Sequence, residues 1–185
     1  ISTLGAAREL PAGEIGEIIV TGPVVTKTYD ALPKATAAAK ISEGHTVWHR
    51  MGDCGFLDAA GRLWFCGRKV ERVQTAAGPM FTEPCEQVFR GHPQVARCAL
   101  VGTGPAGRQE PALVVQLAKG SAGRETAIAQ ELRRLALAHA HTQPIHRFYF
   151  HADFPVDVRH NAKIHRLQLA RWTTHARAFV PQIAS

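Results

Sequence analysis

Asp53, Arg68 and Lys163 are the side chains of this sequence best placed to do chemistry, because each joins a charge to an unusual turn at the edge of an expected element. Asp53 lies in Trp48-His49-Arg50-Met51-Gly52-Asp53-Cys54-Gly55, where Gly52 and Gly55 permit close backbone approach. A carboxylate fixed there either accepts both hydrogen bonds of a ribose diol or caps its own turn. Arg68 ends Phe65-Cys66-Gly67-Arg68 at an expected domain edge. Its guanidinium fork suits phosphate or hydroxyl recognition, or a surface ion pair. Lys163 follows Asn161 in the segment Phe154 to Arg166. With Asn161 as N-cap, Lys163 is predicted in the first turn of a terminal helix, where the dipole disfavours a cation unless an anionic ligand is there to meet it. A solvated lysine is the alternative.

The elements that must hold these residues fall into two parts. Residues 1 to 68 read as β-rich: Gly16 to Gly22 is a β-branched run ending in turn residues, and Gly55 to Phe65 is a hairpin turning at Asp58 to Gly61. From residue 69 to 185 strands mix with helices, which predicts a small α+β domain. Val70 to Gln74 and Pro79 to Phe81 pair as a hairpin, followed by a short helix at Pro84 to Phe89. Val95 to Val101, Ala112 to Leu117 and Arg147 to His151 give a three-stranded sheet, with a helix from about Arg124 to His139. A last helix runs from Asn161 to about Phe179, with Ile164, Leu167 and Trp172 towards the core.

Composition narrows the function classes. The net charge is +7 among 185 residues, but the Lys and Arg residues are scattered without interleaved aromatics, so no nucleic-acid partner is expected. The one local cluster, Arg159 to Arg171, is read as serving phosphate chemistry, with a solvated basic helix as the alternative. No run is apolar for the roughly 18 residues a bilayer requires, so no membrane span is expected and a cytoplasmic location is the default. Cys54, Cys66, Cys85 and Cys98 lack Cys-x-x-Cys spacing and read as buried thiols, and no histidine pair has the spacing of a metal site next to a third ligand. The first residue is not Met, so the chain is expected to begin inside a larger protein.

Six ordered segments carry a family resemblance: Gly13 to Ile18; Gly22 to Val25 with Tyr29 and Pro33 to Thr36; Gly52-Asp53-Cys54-Gly55; Gly67-Arg68; Glu86 with Phe89; and Asn161-Ala162-Lys163. In order and spacing they resemble the superfamily of acyl- and aryl-CoA synthetases, peptide-synthetase adenylation domains and luciferases. The resemblance covers almost the whole chain. It implies that residues 1–68 are the barrel-like tail of a large N-terminal domain and residues 69–185 the mobile C-terminal domain. It further implies that Asp53 and Arg68 bind the ribose of ATP and that Lys163 enters the active site for adenylation. Mg2+ would bridge the phosphates from ligands outside this chain. The phosphate loop, adenine pocket and acyl pocket would also lie outside, so the chain alone is expected to be inactive.

Several residues depart from the superfamily pattern. Val70 stands at the usual hinge position, with Glu71 next; Ala77 replaces the hairpin glycine that lines the pantetheine tunnel, with Gly78 displaced by one; and Ala162 precedes the lysine. These departures argue against CoA as acceptor. With Thr82-Glu83-Pro84-Cys85-Glu86 and the spacing of Pro155 to Lys163, they resemble the β-lactone synthetases of bacterial long-chain olefin biosynthesis. That likeness implies adenylation of a long-chain β-hydroxy acid and attack of its own hydroxyl to close a β-lactone. A long-chain acyl-CoA synthetase or fatty acyl-AMP ligase acting on a fatty acid is the enzymatic alternative. As a non-enzyme, the chain would be a docking module for thiolase-like or reductase-like pathway enzymes.

Overall fold

The computed structural model describes residues 3–157 and 160–182. The chain divides into two compact units, Ile1–Val70 and Glu71–Ser185. The division falls inside a 3-10 turn, Lys69–Glu71, two residues beyond the Gly67-Arg68 edge expected from the sequence.

The first unit is organised by one long strand. Its elements are β1 (Gly16–Val20), α1 (Pro33–Ala39), β2 (Lys40–Glu43), β3 (Thr46–Leu57) and β4 (Leu63–Arg68). Antiparallel β1 lies on one side of β3; β2 pairs with the first part of β3, Lys40↔His49 to Glu43↔Thr46, and β4 with the last part, Asp53↔Arg68 to Leu57↔Leu63. The hairpin expected at Gly55 to Phe65 is thus the end of a longer ladder. Helix α1 was not anticipated in a stretch read as β-rich; Pro33 opens it, where a missing N–H costs nothing and its fixed φ suits the first turn.

The second unit contains β5 (Val73–Thr75), β6 (Gly78–Met80), α2 (Thr82–Arg90), β7 (Val95–Thr103), β8 (Glu110–Leu117), α3 (Glu125–Leu137), β9 (Arg147–Phe150), β10 (Val156–Asp157), β11 (His160–Ile164) and α4 (Arg166–Trp172). The sheet order is β7-β8-β9, antiparallel then parallel, with α3 in the crossover that a parallel pair requires. Cys98 to Val101 of β7 and Ala112 to Val115 of β8 are apolar at every position because both faces are covered. Cys98, Leu100, Leu113, Val115 and Phe148 pack on one face with Phe89 of α2 and Ile128 and Leu132 of α3. Ala99, Val101, Ala112, Val114 and Tyr149 pack on the other with Phe154 and Leu169. Each large side chain so buried contributes roughly 1.5–3 kcal/mol.

The terminal helix is shorter than expected and begins later. Asn161 and Lys163 belong to β11, which turns back on β10 through Val156↔Ile164 and Asp157↔His160. The His165 N–H donates to the Pro155 carbonyl, closing the hairpin, and only at Arg166 does α4 begin. The hairpin satisfies backbone groups of β10 and sets Ile164 against the second core cluster, so pairing overrides the helical propensity of Ala162 to Leu167. Ile164 and Trp172 face the core as expected, but Leu167 is 52% exposed while Leu169 is fully buried in its place.

Candidate active site

Asp53 is aimed by two interruptions of regular pairing. On the β1 side, Glu17 pairs with Cys54 and Ile19 with Arg50, so Ile18 alone lies opposite Met51, Gly52 and Asp53. Gly52 takes a φ of 69°, which a side chain would oppose. On the β4 side, Cys54 pairs with Gly67 and Gly55 with Phe65, leaving Cys66 as the extra residue of a bulge. Gly55 is required by the sheet and not by a ligand: a Cβ there would lie 2.5 Å from the Trp64 carbonyl oxygen.

These irregularities leave Asp53 and Arg68 as direct cross-strand partners. Arg68 donates from Nη1 to Asp53 Oδ1 at 2.8 Å and to the Met51 carbonyl at 3.2 Å. The carboxylate is therefore oriented by a guanidinium that is itself anchored to backbone. Both side chains remain accessible, Arg68 at 43% and Asp53 at 21%, so the pair can reach a ligand. A Cβ at Gly52 would meet no atom within 4 Å beyond its chain neighbours, so the positive φ and not crowding is what favours glycine there.

The neighbouring strand residues hold this edge in place. Glu17 of β1 receives a bidentate pair from Arg50, Nη2 at 2.8 Å and Nε at 3.2 Å, and a third bond from Lys69 Nζ at 2.6 Å. Burial alone would raise the Glu17 carboxyl, but the hydrogen bonds and charges of Arg50 and Lys69 outweigh it and hold its pKa below the ordinary value. Glu17 lies within the Gly13 to Ile18 segment, to which the sequence assigns no individual roles. Its signal was an acidic residue inside a β-branched run, where a charge needs a partner.

Lys163 lies in the second unit, exposed on β11, with its neighbour Ile164 turned towards the core by strand alternation. It lies before the N-cap of α4 and not in the first helical turn, so the expected helical placement of the lysine does not hold. The lysine is instead presented on a short hairpin whose inner face is packed. Val70 is 72% exposed, and Glu71 accepts a bond from Arg166 Nη1 at 3.1 Å.

Arg166 corrects a second expectation. It was counted with a basic cluster serving phosphate, yet its guanidinium is turned inward onto carboxylates: Nε and Nη2 donate to the two oxygens of Glu86 at 2.7 and 2.8 Å. Burial opposes its charge, but the hydrogen bonds to Glu86 and the charges of Glu86, Glu71 and Glu83 raise its pKa above the ordinary value. Arg159 lies outside the described residues. All four cysteines are buried, and burial pushes the thiols of Cys85 and Cys98 up to about 12, which suits packing and not nucleophilic chemistry. Among the described residues no group of three His, Cys, Asp or Glu side chains could hold a metal ion, and no helix is long and apolar enough to cross a membrane.

Comparison with known proteins gives this geometry a context. No family model matches the chain. Among solved structures, an amide bond synthetase from Marinactinospora thermotolerans superposes with a TM-score of 0.73 at 27% identity, covering 90% of this chain and 33% of that one. The o-succinylbenzoate CoA synthetase of Bacillus subtilis, solved with its acyl-adenylate intermediate, gives 0.71 at 26%, covering 86% and 31%. In fold and in sequence the chain is similar to part of the adenylate-forming ligases. More narrowly, it is 52% identical over 176 residues to the olefin β-lactone synthetase of Xanthomonas campestris pv. campestris, which covers 92% of this chain and 32% of that protein. The chain thus spans about a third of the length of the curated relatives it matches.

Proposed function

We propose that the protein containing this chain activates a long-chain β-hydroxy carboxylic acid with ATP and closes it to a β-lactone. The observation that carries the nucleotide half of this reading is the Asp53–Arg68 pair, an oriented and accessible carboxylate at a double interruption of the sheet. The relatives named olefin β-lactone synthetase support the acid half.

In this reading Asp53 accepts hydrogen bonds from the ribose hydroxyls of ATP, and Arg68 keeps that carboxylate turned towards them. Lys163 brings an ammonium on a long stem to the reacting groups. The acid's carboxylate oxygen bonds to the α-phosphorus as the bond to pyrophosphate breaks. Two anions approach in that step, and the ammonium offsets their repulsion as charge builds on the phosphoryl oxygens. The β-hydroxyl oxygen then attacks the activated carbonyl carbon, its proton passes to solvent, and AMP leaves. An intramolecular hydroxyl has a high effective concentration, which offsets part of the strain of a four-membered ring. Mg2+ supplies charge neutralisation at the phosphates when bound, and its ligands are expected outside this chain. Any CoA ligase activity and any thiolase-like or reductase-like partner belong to the competing readings.

Pyrophosphate release by the intact protein tests the first step. With ATP and a long-chain β-hydroxy acid, Lys163→Ala is expected to lower kcat by about 100-fold or more, the scale of removing a group that stabilises transition-state charge. Undiminished release would remove Lys163 from the adenylation step.

A further inference from the structure

The strongest unassigned cluster is gathered around Arg166, two residues beyond the lysine strand β11. Glu86 of α2 is fully buried, yet its carboxylate accepts from Arg166 Nε at 2.7 Å and Nη2 at 2.8 Å, from Arg90 Nη2 at 3.0 Å, and from the Leu100 N–H of β7 at 2.9 Å. A buried charge so fully bonded is fixed in place, because each lost bond would leave a charge uncompensated. Arg166 thereby has two of its donors engaged by the buried carboxylate. Its remaining arm, Nη1, donates to Glu71 Oε2 at 3.1 Å, and this ion pair is also shielded, with Arg166 at 12% and Glu71 at 14% exposure.

The chain positions of these two residues give the contact its meaning. Arg166 opens α4 three residues after Lys163, and Glu71 is the first residue of the second unit, at the point where the chain leaves the first. One guanidinium therefore ties together the helix that follows the lysine strand, the buried floor of the unit, and the segment where the two units join in sequence. Nothing in the nucleotide or lactone chemistry of the proposed function requires such a connection.

We propose that Arg166 is a positioning residue for Lys163 and that Glu71 is its anchor, so that the Glu71–Arg166 ion pair sets how the lysine hairpin is held relative to the inter-unit segment. The proposal rests on the proposed function for the role of Lys163. Its physical basis is the sensitivity of charge stabilisation to placement: a long, flexible ammonium acts only if the strand carrying it is held steady, and a misplacement near 1 Å is enough to cost about 100-fold in rate. Glu71→Gln isolates the effect, since Arg166 keeps both bonds to Glu86 and the buried floor stays intact.

The test uses the intact protein with two readouts. Glu71→Gln is expected to lower kcat for pyrophosphate release about tenfold while KM for ATP stays within about twofold, the pattern of a transition-state effect without loss of ground-state binding. In parallel, amide hydrogen exchange at Ile164 is expected to quicken about fivefold or more while Leu113 and Val114 of β8 keep their protection, as befits local and not global opening. Glu71→Asp is expected to recover part of both losses. Unchanged exchange at Ile164, or quickened exchange with unchanged kcat, overturns the proposal. A general loss of protection in β8 also overturns it, by showing a structural role alone. If the unsubstituted protein releases no pyrophosphate with any β-hydroxy acid, the functional reading fails separately, and the exchange measurement alone decides whether Glu71 anchors the hairpin.

Discussion

Asp53 and Arg68 face one another across the β3–β4 ladder, with Arg68 Nη1 2.8 Å from Asp53 Oδ1 and a second bond from the same nitrogen to the Met51 carbonyl. The arrangement fixes a carboxylate without burying it, which is what recognition of a diol needs. It also separates the pair's two possible contributions, because a partly exposed ion pair adds only about 0–1 kcal/mol to stability.

Asp53→Asn in the intact protein is accordingly expected to raise KM for ATP by about 10- to 100-fold, the worth of a hydrogen bond to a charged group at roughly 1.5–3 kcal/mol. The melting temperature should move little. Steady-state kinetics with ATP varied, beside a thermal melt, checks both. An unchanged KM would return Asp53 to the role of a turn residue.

The β3–β4 turn carries a pH-dependent contact of its own. Asp58 accepts from Trp64 Nε1 at 2.9 Å, from the Arg62 and Ala60 N–H groups at 2.9 Å each, and from Arg62 Nε at 2.7 Å. The Trp64 bond is the largest cause holding its carboxyl down at about 2. A carboxylate whose pKa is depressed by folding contributes stability that is present above its unfolded value, near 4, and is lost as pH falls through about 2. The Trp64 indole N–H resonance should therefore shift with a midpoint near 2, and Asp58→Asn should abolish that shift. A midpoint near 4 would show that the turn bonds do not hold in solution.

The position of the last helix gives a test of packing. Leu169 is fully buried in the second cluster and Leu167 is 52% exposed. Leu169→Ala is expected to cost about 2–5 kcal/mol in denaturant unfolding, and Leu167→Ala less than about 0.5 kcal/mol. Equal losses would favour the longer helix that the sequence suggests.

The contrast between those leucines shows where sequence patterns lose their hold. Strands β7, β8 and β9 are legible because Cys98 to Val101, Ala112 to Val115 and Phe148 to Phe150 within them are apolar on both faces of a covered sheet. Gly52 marks the irregular backbone before Asp53 and takes positive φ, whereas Gly55, read with it from the sequence, answers to the close Trp64 carbonyl. The motif reading puts Lys163 in a helical first turn, but it lies on β11: the pairing of Ile164 with Val156 is concealed by the helical propensity of Ala162 to Leu167. Arg166 was misread for a similar reason. Its partners Glu71 and Glu86 lie far away in sequence, so nothing local distinguishes an inward guanidinium from one facing phosphate. Helix α1 was missed because strands surround it and its apolar positions are mostly alanine.

The fate of the activated acid distinguishes the lactone reading from its thioester rival most directly. The intact protein would be given ATP, Mg2+ and a long-chain β-hydroxy acid, with and without CoA, and its products resolved by mass spectrometry. The expected result is a β-lactone with AMP and pyrophosphate in the absence of CoA, unchanged when CoA is added. Thioester formed only when CoA is present, with no lactone in its absence, would contradict it.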